Sequence, residues 1–223
     1  MDMSIITKDW PYDEHEEANN VRKIMGIDGA MKVQVRLRNG VVQWSVEGRP
    51  DGRQPYGYET MLEFALDALK LEMPDVMSPE NLLDPNVVEE LMEELYDYCK
   101  RCRALFLFGD YRRALNDVSH GLAILDFVRE RVTDPQLVFE YDNYRPSLLA
   151  NRAQTEMLVH LRADRPREAL QALNDGIDEI ENFYIEYELD EELEDCSERQ
   201  VLIDLRRSLR EKHNVPLTDR ELL

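Results

Sequence analysis

Phe108-Gly109-Asp110-Tyr111-Arg112-Arg113-Ala114-Leu115 and Ala163-Asp164-Arg165-Pro166-Arg167-Glu168-Ala169-Leu170 are the stretches whose reading decides the fold. Each opens a run of 3.6-residue period, with Val118, Gly121, Leu122 and Leu125 after the first, and Leu173, Gly176, Ile177 and Ile180 after the second. The two runs correspond at a constant offset of 55 residues: Ala114 with Ala169, Leu115 with Leu170, Gly121 with Gly176 and Leu122 with Ile177. Two apolar-faced helices entered from matching turns predict a body of antiparallel helical hairpins. A glycine on the same face of each predicts a closely approaching neighbour.

Upstream, Asp84-Pro85 gives an N-cap followed by proline at the first helical position. Val87, Val88, Leu91, Met92, Leu95, Cys99, Cys102, Leu105 and Phe106 then form an apolar stripe that ends at Gly109-Asp110. A shorter stripe, Met61, Leu62, Ala65, Leu66 and Leu69, precedes it, with Glu59, Glu63, Asp67 and Lys70 outward. Near the other end, Ser197 is a cap for a last helix with Val201, Leu202, Leu205 and Leu209 on one side and a basic C-terminal turn. Val215-Pro216 stops it.

Before residue 57 the period is two. Val33, Val35 and Leu37 alternate with Lys32, Gln34 and Arg36, and Asn39-Gly40 supplies the two positive-φ residues of a type I′ turn. Folding there pairs Leu37 with Val42, Val35 with Trp44 and Val33 with Val46. A lone hairpin is marginal in water, so its apolar face needs either the following helices or a third strand from residues 21–27. The loop after it, Gly48-Arg49-Pro50-Asp51-Gly52-Arg53-Gln54-Pro55-Tyr56-Gly57, holds three Gly and two Pro in ten residues. Pro50-Asp51-Gly52 fits a tight turn. Arg49, Arg53 and Tyr56 are the candidate binding residues, because a guanidinium offers a planar two-pronged donor set to a carboxylate or phosphate. The other reading of this loop is a connector whose arginines cap carbonyls or pair with the acidic helices.

The chain has 223 residues and a formal charge of −20. Residues 58–100 carry 12 acids against 2 bases, and residues 179–200 carry 10 against 1. These two acidic faces account for almost the whole excess. They argue against direct binding to nucleic acid or to an anionic membrane, and for a basic protein partner steered by complementary charge. No signal peptide or membrane span is visible, and with three cysteines the expected compartment is the cytoplasm.

Cys99 and Cys102 form a Cys-x-x-Cys, but both lie on a continuous helical stripe and two further soft ligands are missing, so they read as packing residues. His15, His120, His160 and His213 are scattered, with no nucleophile at a telling spacing. No glycine-rich phosphate loop occurs. The expectation is therefore no enzyme, no metal and no cofactor.

Two resemblances add to this. Leu-Phe-Gly-Asp-Tyr-Arg-Arg-Ala-Leu, with Gly121 seven residues after Ala114, resembles the turn and second helix of a tetratricopeptide repeat. The second copy lacks the turn glycine and the tyrosine, and the spacing of 55 exceeds the family's 34, so irregular hairpins with an insertion near Val132–Tyr144 are expected. Asn20-Val-Arg-Lys-Ile24, the hairpin and Gly48-Arg-Pro-Asp-Gly-Arg53 resemble a family of bacterial proteins that often end in a UVR motif, a short helical hairpin that docks protein partners. Leu205-Arg206-Arg207 is the nearest echo of that motif, without its paired alanines.

The fold class expected is thus mainly α, with an N-terminal β-hairpin module and loop over 1–57 and a tetratricopeptide-like helical domain over 58–223. The function expected is a non-catalytic protein–protein adaptor or scaffold, acting through acidic helix faces and the open edge of the hairpin, with self-association one consequence. The alternative is a module that responds to a small ligand or nucleotide through the Arg49/Arg53 loop.

Overall fold

The computed structural model describes residues 7–71 and 83–213. It is mainly α-helical, with a three-stranded antiparallel sheet near its start, in the order β1 (Val21–Met25), β2 (Met31–Leu37), β3 (Gly40–Ser45). The helices are α1 (Met61–Lys70), α2 (Pro85–Phe108), α3 (Tyr111–Arg131), α4 (Pro135–Asp142), α5 (Arg145–Arg162), α6 (Pro166–Glu186) and α7 (Ser197–His213). The chain divides into two compact units between Tyr141 and Asp142. The sheet belongs to the same unit as α1 to α3, so the change from strand to helix at residue 57 lies within that unit. Among the described residues no helix is long and apolar enough to cross a membrane.

In the first unit the third strand is present: β1 pairs along β2, with Val21 opposite Val35 and Met25 opposite Met31. The hairpin register differs from the expected one by two residues. Leu37 pairs with Gly40, Val35 with Val42 and Val33 with Trp44, so Arg38-Asn39 form the turn. Neither Asn39 nor Gly40 has a positive φ, and the type I′ turn is not made. The Arg36 guanidinium instead donates to the turn carbonyls, to Leu37 O and, at 2.9 Å, to Gly40 O. A slip of two keeps every side chain on its own face, so the alternating pattern is obeyed equally by both registers. The observed one sets Trp44 opposite the fully buried Val33, where the inner face meets α2.

The outer face of the sheet is a polar ladder. Arg22 Nε donates to Gln34 at 2.9 Å, and Gln34 Nε2 to Gln43 at 2.8 Å. Trp10 lies over the Arg22 guanidinium at 3.9 Å, its own carbonyl accepting from Arg36. Both faces are thus covered, which explains how so small a sheet stays folded.

Helix α1 buries Met61, Leu62, Phe64, Ala65 and Ala68. Leu66, expected in the stripe, is exposed. Asp84 caps α2 by accepting from Asn86 N, with Pro85 first in the helix, as the sequence requires. Buried residues surround α2 on more than one face, because β1, β2, α1 and α3 all pack on it. It is the central helix of its unit.

The 55-residue repeat is a repeat of structure. Helix α2 ends with Gly109 at φ 84°, Gly109 N donating to Phe106 O and Asp110 N to Leu105 O. Helix α5 ends with Asp164 at φ 55°, Asp164 N donating to Leu161 O and Arg165 N to His160 O. Every partner is displaced by 55 from its counterpart. Aspartate takes the left-handed position that glycine fills in the first copy, as its short polar side chain permits. Glu188 at φ 56° closes α6 in the same way.

In the second unit, Gly176 realises the expected close approach. A Cβ there would lie 2.4 Å from Ala153 Cβ on α5 and 3.1 Å from Leu202 Cδ1 on α7. On α7 Leu202 and Leu209 are buried, whereas Val201, placed in the stripe by spacing, is exposed. Asp142 is buried and accepts from Arg145 Nε at 2.7 Å and from the Tyr187 hydroxyl at 2.9 Å, joining the start of α5 to the end of α6.

Candidate functional site

The most concentrated chemistry lies in the first unit, along one side of α2. Glu94, Tyr98 and Arg101 follow one another at spacings of four and three, so they share a face. All three are buried. The Arg101 guanidinium forms a fork with Asp117 of α3, Nε to Oδ2 at 2.9 Å and Nη2 to Oδ1 at 2.7 Å. Its remaining nitrogen, Nη1, donates to the carbonyls of Ser45 and Gly48 at 2.8 and 2.6 Å. One side chain therefore ties the end of β3 and the following loop to two helices. Burial pushes the Asp117 carboxyl upward, opposed by the adjacent guanidinium.

Glu94 is fully buried and accepts from four donors. Met61 N and Leu62 N, at the N-terminal end of α1 where no helical carbonyl reaches them, donate to it at 2.7 and 3.3 Å. Arg49 Nη1 lies at 3.2 Å and His120 Nε2 at 2.9 Å. The carboxylate so placed satisfies two orphan amides and meets the positive end of the helix dipole. Because the carboxylate can only accept, His120 donates to it through Nε2. The Tyr98 ring, 4.1 Å away centre to centre, holds the imidazole in place.

His120 also lines an open cleft of about 330 Å³ along α1, with Tyr58, Thr60, Leu62, Glu63, Leu66, Asp67 and Lys70. The Tyr58 hydroxyl donates to Asp67 at 2.8 Å, and this bond raises its pKa. A second cleft, about 320 Å³, is bordered by Lys23, Met31, Val46, Glu47 and Arg113. Its cations are matched internally: Lys23 and Arg113 both meet Asp110, and Arg113 also meets Glu47.

The three candidate residues of the loop have different surroundings. The Arg49–Pro50–Asp51–Gly52 turn forms as expected, Gly52 N donating to Arg49 O at 3.0 Å with Gly52 at φ 74°. The Arg49 side chain turns inward to Glu94 and Asp51. Arg53 is exposed. Tyr56, at φ 52°, stacks on Phe64 with ring centres 4.2 Å apart and donates to Glu90 at 3.1 Å.

Cys102 is buried with Sγ 3.4 Å from Ala114 O, and Cys99 is half-buried. Burial raises their thiols to about 12 and about 11. Neither is an activated nucleophile. Among the described residues no group of three or more His, Cys, Asp or Glu is arranged to hold a metal.

Sequence reasoning passed over Glu94, Arg101, Asp117 and His120 as working parts. Glu94 belongs to the acidic stretch 58–100, yet its side chain is fully buried. A signal existed: Glu94 and Arg101 fall on the spacing of Leu91, Leu95, Cys102 and Leu105, and Asp117 falls between Ala114 and Val118. Charges of opposite sign on two facing apolar stripes announce a buried pair.

Comparison with protein-family models, with curated proteins and with solved structures finds no match.

Proposed function

We propose that this protein is a non-catalytic adaptor that engages a basic protein partner through the acidic side of α1 and α2. The observation that carries the reading is apolar surface left in water among carboxylates. Tyr56, Leu66, Leu71 and Tyr96 are 64, 40, 64 and 56% exposed, in the same stretch as the exposed Glu59, Glu63, Glu89 and Glu93. Aromatic and aliphatic side chains at a surface supply the core of an interface, and a rim of one charge selects and steers a partner of the other. The buried charges, by contrast, are engaged in internal ties, which supports a scaffold over a catalyst.

The β1–β2 turn is a second surface of the same kind. Met25 and Ile27 are strongly exposed there, and Met31 faces Met25 across the strands. β1 and β3 each have one hydrogen-bonded neighbour, so strand addition by a second copy is the route to self-association.

The test is affinity capture by the full chain from an extract of its own cells, beside a variant with Glu59, Glu63, Glu89 and Glu93 all changed to Gln. A basic protein retained in fixed ratio, released by salt and lost with the variant is expected. Identical profiles for the two chains would remove the acidic surface from the reading. Capture of nothing above a bare matrix would remove the adaptor.

A further inference from the structure

We propose that the cleft along α1 receives a lysine side chain from the basic partner, its ammonium held by the carboxylates of α1. This deepens the adaptor reading and rests on it. The floor is apolar: Leu62 is buried, and Leu66 stands 40% exposed at the mouth although its spacing belongs to a core stripe. A four-carbon stem laid on those two leucines would shield surface that the chain leaves in water.

The polar atoms around that floor sort themselves by hydrogen-bond role. The Nε2–H of His120 is committed to Glu94. The Tyr58 hydroxyl uses its one donor on Asp67 and has only lone pairs left to offer. Glu63 and Asp67 are carboxylates, each with one oxygen already in use, Glu63 Oε2 by Glu59 N and Asp67 Oδ2 by Tyr58. What remains is an excess of acceptors over an apolar floor, complementary to a donor-only cation on a flexible stem. The acceptors come from separate side chains, Tyr58, Glu63 and Asp67, which suits the three rotatable donors of an ammonium.

Lys70 shows that the position tolerates an ammonium. Its Nζ lies 3.8 Å from Asp67 Oδ1, with the side chain 73% exposed. An exposed pair of that length contributes little, so a visiting lysine that is also packed on Leu62 and Leu66 displaces it at small cost.

The experiment uses the full chain, labelled with nitrogen-15, titrated with the blocked peptide Leu-Lys-Leu-Lys-Leu and followed by amide and imidazole shifts. Saturable shifts at Leu62, Glu63, Leu66, Asp67 and the His120 ring are expected, with no binding when norleucine replaces both lysines and weaker binding when arginine does. Asp67→Asn should weaken the peptide about tenfold. Leu66→Lys, which alters an exposed residue and no hydrogen bond, should abolish binding by placing the chain's own ammonium in the mouth. Shifts centred on the acidic stretch 188–195, or unchanged affinity in both variants, would defeat the cleft while leaving the adaptor standing. Norleucine peptide binding as well as lysine peptide would defeat the ammonium.

Discussion

The unit that ends at Tyr141 and the unit that begins at Asp142 share a building block and differ in how they join it. Each contains a helical hairpin closed by the same left-handed turn, at Gly109 in one and at Asp164 in the other. In the first, the space around the central helix is held by charge: Glu94, Arg101 and Asp117 are buried and each has its partners. In the second, one buried carboxylate, Asp142, ties α5 to α6, and the closest approach is where a side chain is missing, Gly176 against Ala153 and Leu202. A polar joint requires every partner to be present, and a small-residue joint requires one atom to be absent. The first kind is specific in direction and fixes the loop that follows β3. The second is specific in distance.

The largest effect separating the two should come from Arg101→Ala, which leaves Asp117 buried and unpaired and frees the carbonyls of Ser45 and Gly48. Loss of one partner of a buried pair costs about 3–5 kcal/mol. Both tryptophans, Trp10 and Trp44, lie in the first unit, so denaturant unfolding followed by tryptophan emission should show it directly. An unchanged midpoint would mean that the pair is dispensable. Replacing Arg101 by Met and Asp117 by Leu together should recover most of the loss, since no orphan charge then remains.

Next in size is Gly176→Ala. The added methyl meets Ala153 Cβ at 2.4 Å, and overpacking of this kind costs about 1–3 kcal/mol. Hydrogen exchange over 145–213 should speed up while the tryptophan-detected transition stays in place. Movement of both together would show that the two units unfold as one.

A smaller change tests the shared turn. Gly109→Ala forces a side chain into φ 84° and should cost about 1–2 kcal/mol, read by the same emission assay. Because Asp164 already carries a side chain at φ 55°, Asp164→Gly should leave the second unit no less stable. A loss there would mean that the Asp164 side chain contributes beyond the turn.

The smallest effect is confined to the N-terminal segment of the first unit. The Asn19 amide, with the backbone N–H groups of His15 and Glu16, holds the Asp13 carboxyl down at about 2. Its stabilisation is therefore present above the ordinary aspartate range and is lost as pH falls through about 2. Trp10 Nε1 donates to Asn19 O beside it, so the Trp10 indole proton resonance should shift with that midpoint. A midpoint near 4 would show that the Asp13 bonds do not persist in solution.

Much of the architecture was legible, and for a local reason. The start of α2 at Asp84-Pro85, its end at Gly109 and the 55-residue correspondence all follow from spacing and capping within a few residues. The hairpin's sidedness was legible too, but not its register, because a shift of two leaves every face unchanged and Arg36 settled the turn from outside it. In the candidate cleft, Glu63 and Asp67 were visible as outward acids of α1. His120 was not connected to them, since it arrives from another helix 53 residues beyond Asp67. The period puts Leu66 and Val201 on core stripes, yet they are 40 and 44% exposed, because a stripe says which residues share a side and not how wide the neighbour is.

The sequence by itself determined where helices and strands begin, end and repeat, because hydrophobic period, caps and left-handed turns act over one or two turns of chain. Only the tertiary structure decided which charges are buried, which strand register is used and which leucine stays uncovered. Those outcomes depend on what lies opposite, and a residue's partner across a packed interface is not written in its neighbours along the chain.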